Sequence, residues 1–310
     1  MLILAARRLA SMILIMLVIS ILLFLVFEGD KMSLAMRVLG QYSTIEGRLQ
    51  WLEDNGYNQS LVTRYFSWLL GFLTGDWKTS AQYGMPVREF LLPRLGNTAI
   101  LGGCVFLLTV VIALILGVFS GIAEGSPRDR TVTVISVLTT SVPEFASATF
   151  LAAIFVFWLD WLPGSSSFSG GFSWVELILP ITVLVLFNFG YYTRMTRASM
   201  AEVMTSQYVR TAILKGLPFR QVVLRHALRN ALIAPFTVMI LQLNYLLSGL
   251  IVTEVFFAYD GFGKALYDAA LFGDIYLIEA GTMVAVFVAV LSQFISDVGY
   301  TYLNPRIRFA

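Results

Sequence analysis

The sequence has few charged residues, one cysteine and one histidine in 310 residues. Aspartate, glutamate, lysine and arginine together make up 13% of the chain, whereas soluble domains contain roughly 25%. A single cysteine excludes an intramolecular disulfide, and a single histidine argues against a metal site built from histidine or from a Cys/His cluster. The formal net charge is +2, which gives no indication of a nucleic-acid surface. We therefore expect neither a bound metal nor a nucleic-acid partner.

Long apolar runs are abundant, and hydrophobic residues account for 58% of the chain. A membrane-spanning helix needs about 20 predominantly apolar residues. Although the length alone would allow two soluble domains, the runs predict one all-α polytopic membrane protein with six transmembrane helices. The predicted spans are 9–27, 97–123, 131–158, 175–192, 231–255 and 277–303.

The first apolar run follows Arg7 and Arg8, so it has two interpretations. A secretory signal peptide also begins with basic residues, but its apolar segment has roughly 7–15 residues and ends at a small-residue cleavage site. The run 9–27 is longer than that, and no such site follows Phe27. We therefore expect a retained transmembrane helix.

The positions of lysine and arginine in the short loops predict that both termini are cytoplasmic. Basic residues occur before the first span, after the second, after the fourth and after the sixth, whereas the short loops on the other side contain only Lys264. Long loops cross the membrane largely regardless of charge, so the basic residues of segment 29–96 do not decide the orientation. We divide the chain into an N-terminal transmembrane helix (1–28), an extracytoplasmic loop (29–96) and a five-helix core (97–310).

The extracytoplasmic loop has two parts of different composition. Residues from Thr44 to Asn55 are polar and favour a helix, whereas the run from Tyr65 to Leu73 is aromatic and too short to span a membrane. Because aromatic residues favour the headgroup level, we expect the second part to lie at the membrane interface.

The cytoplasmic loop 194–230 is strongly basic, with Glu202 as its one acid. Ser199 and Glu202 have the spacing of a capping box, which predicts the start of a helix. In such a helix Met204, Tyr208 and Ala212 share one face.

A second feature of this loop is the signal that ends the helix. Gly216 suits a left-handed turn, and Pro218 cannot continue a helix. A second helix is expected from Phe219 through Arg229 into the fifth span. The two helices have two interpretations: a compact element on which a soluble partner docks, or an amphipathic element that lies on lipid.

Residues 208–218, with the sequence Y-V-R-T-A-I-L-K-G-L-P, resemble the EAA loop of ABC-importer permeases, and H-A-L-R-N-A-L-I-A-P at 226–235 continues the pattern. The match is most similar to the dipeptide, oligopeptide and nickel permease family. Further segments in the same order resemble that family, including S-V-P-E-F from Ser141, E-V-F from Glu254 and G-F-G from Gly261. The resemblance covers nearly the whole chain.

The resemblance implies that the loop between the fourth and fifth spans forms a coupling helix, which docks in a groove of a cytoplasmic ATPase. It also implies a complex in the bacterial inner membrane with a second homologous permease subunit, two cytoplasmic ATPase subunits and an extracytoplasmic substrate-binding protein. The ATPase-docking residues would be Glu202, Tyr208, Arg210, Thr211, Ala212, Lys215, Gly216 and Leu217.

The sequence contains no G-x-x-x-x-G-K-[ST] motif. This chain is therefore expected to lack a nucleotide site of its own and not to be an enzyme. The resemblance assigns ATP and Mg to partner ATPase subunits and leaves no cofactor in this chain. Asp260, Tyr276 and Asn304 depart from the residues usual in the family, so the substrate stays open among peptides, nickel chelates and other small polar solutes.

Ionisable and amide side chains within the predicted spans are few, and four of them are candidates for the translocation pathway. A charge at the bilayer centre costs about 2.5–3.5 kcal/mol on insertion scales. Glu144, directly after Pro143, is therefore a candidate contact for a cationic part of the substrate. Its alternative is a carboxyl that is protonated or paired with a neighbouring helix. Asn188, Gln242 and Asn244 either line the pathway or bridge helices by hydrogen bonds.

Two other protein classes are alternatives. A self-sufficient channel or secondary carrier should contain paired ionisable residues along several spans, or helices broken in repeated positions. An intramembrane hydrolase needs a nucleophile with its base, or a metal site, and the one histidine, His226, lies in a loop. These requirements favour the importer subunit over both alternatives.

Overall fold

A computed structural model describes residues 2–29, 31–40, 42–168, 170–241 and 250–303. Regular structure in these residues is helical, apart from an isolated bridge between Thr79 and Pro86. Two π-helical turns, Ala153–Trp158 and Val222–Ala227, continue α-helices without a break. The α-helices in chain order are α1 (Leu2–Glu28), α2 (Lys31–Leu39), α3 (Ile45–Asp54), α4 (Leu61–Thr74), α5 (Val87–Ile122), α6 (Pro127–Ser141), α7 (Glu144–Ala152), α8 (Trp174–Met204), α9 (Gln207–Leu214), α10 (Phe219–Gln221), α11 (Leu228–Ala231), α12 (Ile233–Leu241), α13 (Ile251–Phe256), α14 (Phe262–Phe272) and α15 (Ile275–Leu303).

Within the described residues, α1, α5, α8 and α15 are long and apolar enough to cross a membrane. This confirms the prediction of an all-α membrane protein with several spans. The predicted fifth span, 231–255, includes α12 and α13, but residues 242–249 lie outside the described residues, and with them Gln242 and Asn244. The count of six spans therefore stays a prediction.

The third predicted span, 131–158, is not one straight helix. Helices α6 and α7 meet at an angle of 99°. Val142 between them is extended, with φ −89° and ψ 125°, as expected for a residue before proline. Pro143 has no N–H group and its ring clashes with a preceding helical turn, so α6 cannot continue through it. Glu144 consequently begins a new helix instead of lying in the middle of a continuous one.

The chain folds into two compact units. The first unit combines the chain up to Thr98 with Asp260–Phe294, and the second combines Ala99–Tyr259 with the chain from Ile295. Helices α5 and α15 contribute residues to both. Each unit therefore contains segments that are far apart in the sequence.

The core of the first unit joins the start of α5 to α14 and α15. Val87, Phe90 and Leu91 are buried there against apolar residues between Phe262 and Val284.

A buried carboxylate fixes the start of α15 in this unit. Asp274 accepts hydrogen bonds from the Ser80 hydroxyl at 2.5 Å, from the Gln82 N–H at 3.1 Å and from the Leu277 N–H at 3.2 Å. It therefore caps α15 and attaches it to the segment that precedes α5.

Both parts of the predicted extracytoplasmic loop contain helices. Helix α3 confirms the helix expected between Thr44 and Asn55, and the Thr44 side chain caps it by accepting from the Gly47 N–H at 3.1 Å. The aromatic run lies in α4, which ends at Gly75 with φ +88°. The location of this run at the membrane interface stays a prediction.

Helix α8 lies at the centre of the second unit and packs closely against α5 and α6. A Cβ atom on Gly117 of α5 would lie 2.4 Å from Cβ of Thr196 on α8. A Cβ atom on Gly190 of α8 would lie 2.3 Å from the Ser136 carbonyl oxygen on α6. A larger residue would clash at either position, so both contacts require glycine. Small residues let helix backbones approach closely in this way in membrane proteins.

A buried ion pair also joins these three helices. Arg197 on α8 donates from Nε and Nη2 to the two carboxylate oxygens of Asp129 on α6, at 3.0 and 2.8 Å. The Asp129 side chain is 4% exposed and also accepts from the Ser120 hydroxyl at 2.5 Å and the Gly125 N–H at 2.9 Å. Its oxygens are thus well satisfied, as a buried carboxylate requires.

Candidate functional site

The loop that follows α8 begins later than the sequence pattern predicts. The predicted capping box at Ser199 and Glu202 is wrong, because both residues lie in the last turns of α8. The Ser199 hydroxyl donates to the Ala231 carbonyl at 2.8 Å instead of capping a helix. The chain turns at Thr205, and Ser206, with an extended backbone, precedes α9.

Helix α9 starts at residue 207, so Met204 is not in the same helix as Tyr208 and Ala212. Val209 and Ala212 are buried in an apolar cluster with Met200 of α8 and with residues between Val222 and Ala231. Tyr208, predicted to share this face, is 43% exposed, and its hydroxyl accepts a hydrogen bond from the Asn230 amide at 3.0 Å. Helix α9 therefore rests on a platform formed by the end of α8 and the helical segment after Pro218.

The predicted turn at Gly216 is confirmed. Gly216 has φ +76°, its N–H donates to the Ile213 carbonyl at 2.9 Å, and the Leu217 N–H donates to the Ala212 carbonyl at 3.4 Å. Pro218 follows with φ −61°. A Cβ atom on Gly216 would meet nothing within 4 Å, so the need for glycine lies in the backbone conformation alone.

The predicted docking residues fall into two groups by exposure. Ala212 is buried and Leu217 is half-buried, so both face the platform. The exposed ones are Glu202, Tyr208, Arg210, Thr211, Lys215 and Gly216.

The sequence interpretation missed the most prominent apolar side chains of this loop. Leu214 is 79% exposed at the end of α9, and Ile213 and Phe219 are also exposed. Single exposed apolar residues are common on proteins, but here they adjoin the exposed Arg210 and Lys215. The available signal was that Leu214, five residues after Val209 and two after Ala212, lies on the helix face opposite these two buried residues.

The predicted pathway residues that the structure describes lie in the second unit. The Thr253 hydroxyl of α13 donates to the Glu144 carboxylate at the start of α7. Asn188 is buried in α8 and donates to the Leu184 carbonyl of its own helix at 2.8 Å. The hydrogen bond seen for Asn188 is thus within one helix, whereas the hydrogen bond between Thr253 and Glu144 joins α13 to α7.

Comparison with known proteins identifies the family of this chain. Residues 113–309 match the family described as binding-protein-dependent transport system inner membrane component, and residues 1–87 match the N-terminal region described for the same membrane component. The chain belongs to this family. It is a permease subunit of an ABC importer, which decides against the channel and carrier alternative.

Curated relatives agree over nearly their full length. The chain is 32% identical to the oligopeptide transport system permease protein of Bacillus subtilis, covering 98% of each chain. It is 32% identical to the glutathione transport system permease protein of Pectobacterium atrosepticum, again over 98% of each. It is 30% identical to the dipeptide transport system permease protein of Alkalihalophilus pseudofirmus, over 98% of this chain and 99% of that protein. The family consists of membrane components of transport systems, not of catalytic enzymes.

Proposed function

We propose that this permease forms half of the translocation pathway for peptides or similar small polar solutes, and that α9 couples it to a separate ATPase subunit. The relatives that it resembles transport oligopeptides, dipeptides and glutathione, as their names state, and this supports the substrate class. All three solutes carry peptide-type amides and charged ends, so a solute of the same kind is the natural candidate here.

The observation that carries the coupling role is the seating of α9. Its inner face, Val209 and Ala212, is buried on the end of α8, while Leu214 is directed away from this cluster and is highly exposed. A helix with one face fixed to a span and the other free transmits a push from a docked partner to that span. Burial of Leu214 in an apolar groove would supply about 1.5–3 kcal/mol to docking, and Arg210 and Lys215 would pair with acidic groups at its rim.

The orientation and partners follow from this role. The loop 194–230 and both termini would be cytoplasmic in a bacterial inner membrane, with segment 29–96 outside as an extracytoplasmic loop and 97–310 as a five-helix core. The complex would contain a second homologous permease, two cytoplasmic ATPase subunits and an extracytoplasmic binding protein, surrounded by lipid. ATP and Mg would bind to the ATPase subunits, and Glu144 and Asn188 would lie on or beside the pathway.

The docking proposal is tested by changing Leu214 to aspartate in the chain purified with its partners from native membranes. Because Leu214 is 79% exposed, the change should leave folding intact. It should cause loss of the co-purifying ATPase. The matched control is Leu271→Asp on α14, where the leucine is 64% exposed. An ATPase retained equally by both variants would refute docking through α9.

A second pair of variants tests the turn. Gly216 and Gly125 both have φ near +77° and open space where a Cβ would lie. Alanine at either position therefore carries the same backbone strain of about 1–2 kcal/mol. Only Gly216→Ala should lower solute-stimulated ATPase activity. Equal losses in the two variants would mean that the effect is general destabilisation and not coupling.

A further inference from the structure

The first unit contains a cavity of about 320 Å³ that the transport role does not use. Its lining residues come from α1, from α2 and the segment between α2 and α5, and from the start of α15, and all belong to that unit. The volume is at the lower end of the range for small-molecule sites. A ligand there would therefore be a small molecule.

Aromatic rings form much of the cavity wall. Phe72 stacks on Trp77 with a centroid distance of 5.4 Å and an interplanar angle of 10°, and Trp68 stacks on Phe72 at 6.4 Å. Phe24, Phe27, Tyr57 and Tyr276 add further rings to the lining. Aromatic faces carry negative electrostatic potential and attract organic cations.

The charged side chains of the lining do not all have partners of opposite sign. Glu28 forms ion pairs with Arg64 and with Lys31, and Asp76 pairs with Lys78 at 2.8 Å. Glu279 also lines the cavity, and it has no basic residue in ion-pair contact among the residues that the structure describes.

Two other polar residues of the wall, Tyr57 and Arg64, add no unpaired charge. Burial raises the pKa of Tyr57 above its ordinary value, so its hydroxyl stays neutral. The Arg64 guanidinium lies over the Tyr57 ring at 3.7 Å from the centroid, and that group is already paired with Glu28. A partly buried carboxylate without a basic partner is destabilising unless a cation joins it.

We infer that this cavity is a binding site for the ammonium group of a small organic molecule, with Glu279 as the ion-pairing residue and the surrounding rings as a cation-π wall. Two sources carry this chemistry: a soluble primary amine, or the ethanolamine headgroup of a membrane lipid. Glu279 and the aromatic rings would bind either ammonium group in the same way. The lipid composition of the assay must therefore distinguish the soluble amine from the lipid headgroup.

The test uses the chain assembled with its partner subunits in nanodiscs of phosphatidylglycerol alone. Isothermal titration compares 2-phenylethylamine with 2-phenylethanol, which share a ring and differ in the charged group. The amine should bind at one site per chain and the alcohol about tenfold more weakly or worse, since hydrogen bonds to charged groups exceed neutral ones by about that factor. Equal binding of both probes, or no binding of the amine, would overturn the proposal without any variant being needed.

Two variants locate the site. Glu279→Gln should weaken amine binding about tenfold or more and leave alcohol binding unchanged. Asp76→Asn is the matched control, because that carboxylate lines the same cavity but is already paired with Lys78 and is 59% exposed. Loss of amine affinity in both variants alike, or in neither, would refute the assignment to Glu279.

A second set of nanodiscs, containing phosphatidylethanolamine, separates the two sources. If the lipid headgroup is the natural occupant, the amine should compete with it and its apparent affinity should fall in these discs. If a soluble amine is the occupant, the affinity should be the same in both lipids. Either result is compatible with an ammonium site, and the comparison names its occupant.

Discussion

Replacing Gly117 with alanine is expected to destabilise the second unit, whereas the same change at Gly103 in the same helix is not. A Cβ on Gly117 would lie 2.4 Å from Cβ of Thr196 and 2.8 Å from the Thr193 carbonyl oxygen. Ordinary van der Waals contact begins at 3.4 Å, so α5 and α8 would have to separate locally by about 1 Å. A Cβ on Gly103 would meet nothing within 4 Å.

The clash at Gly117 cannot be relieved by rotating the neighbouring side chain. The Thr196 hydroxyl donates to the Tyr192 carbonyl at 2.8 Å, and the residue is fully buried. Overpacking of this kind costs about 1–3 kcal/mol. The gain in helix propensity from Gly to Ala is about 0.5–1 kcal/mol and applies at both positions. The difference between the two variants therefore isolates the steric cost, about 1–3 kcal/mol.

The assay is reversible unfolding in mixed micelles by titration with dodecyl sulfate, followed by circular dichroism. Gly103→Ala should unfold at the same or a slightly higher denaturant fraction than the unchanged chain, and Gly117→Ala at a clearly lower one. Identical midpoints for the two variants would show that α5 and α8 are not in close contact, and the packing described for the second unit would then be wrong.

Three further outcomes are expected. Arg197→Ala should lower the free energy of unfolding by about 1–3 kcal/mol in the same assay, because it leaves a buried carboxylate without its charged donor. Arg194→Ala, at an exposed position on the same helix, should change it little. Glu144→Gln, which still accepts from Thr253, should reduce solute uptake into proteoliposomes by roughly tenfold while ATP hydrolysis continues; unchanged uptake would make the carboxyl purely structural. Ser199→Ala should lower the free energy of unfolding by about 1 kcal/mol, because the interhelical hydrogen bond is lost, and the helix content measured by circular dichroism should not change. A fall in helix content would mean that Ser199 caps a helix after all.

Local signals in the sequence predicted several elements correctly. The polar run from Thr44 to Asn55 indicated α3, and Gly216 followed by Pro218 indicated the end of α9. In each case the determinant is local, either a side-chain cap or a backbone conformation that few residues adopt. The all-α membrane fold followed from hydropathy, because a bilayer requires backbone groups to be satisfied within the span.

Features set by tertiary contacts were not predicted. The S-x-x-E pattern at Ser199 fits a helix start, but burial of Met200 and Ala201 keeps α8 helical beyond it. Hydropathy does not distinguish a straight span from one bent at Pro143, since both are equally apolar. The close contact of α5 with α8 had a visible signal, the G-x-x-x-G spacing of Gly117 and Gly121, which membrane helices use for packing.

The sequence also did not indicate which face of α9 is buried. That face is fixed by where α8 ends, and the end of α8 depends on contacts with residues near Ala231, about thirty positions later. A helix of eight residues has too few turns for its apolar pattern to define one face. Glu279 was likewise not singled out, because its neighbours in the cavity come from α1 and α4.

The discontinuous first unit has a consequence for biosynthesis. Leu91 and Phe262 belong to one core but are separated by about 170 residues of chain. At a synthesis rate of roughly 5–20 residues per second, the early half would wait about 10–35 s before its packing partners leave the ribosome. During that interval lipid, the insertion machinery or a chaperone must keep the apolar side chains of Val87, Phe90 and Leu91 out of water. Nascent chains stalled before Phe262 should therefore be degraded far faster than chains stalled after Val284.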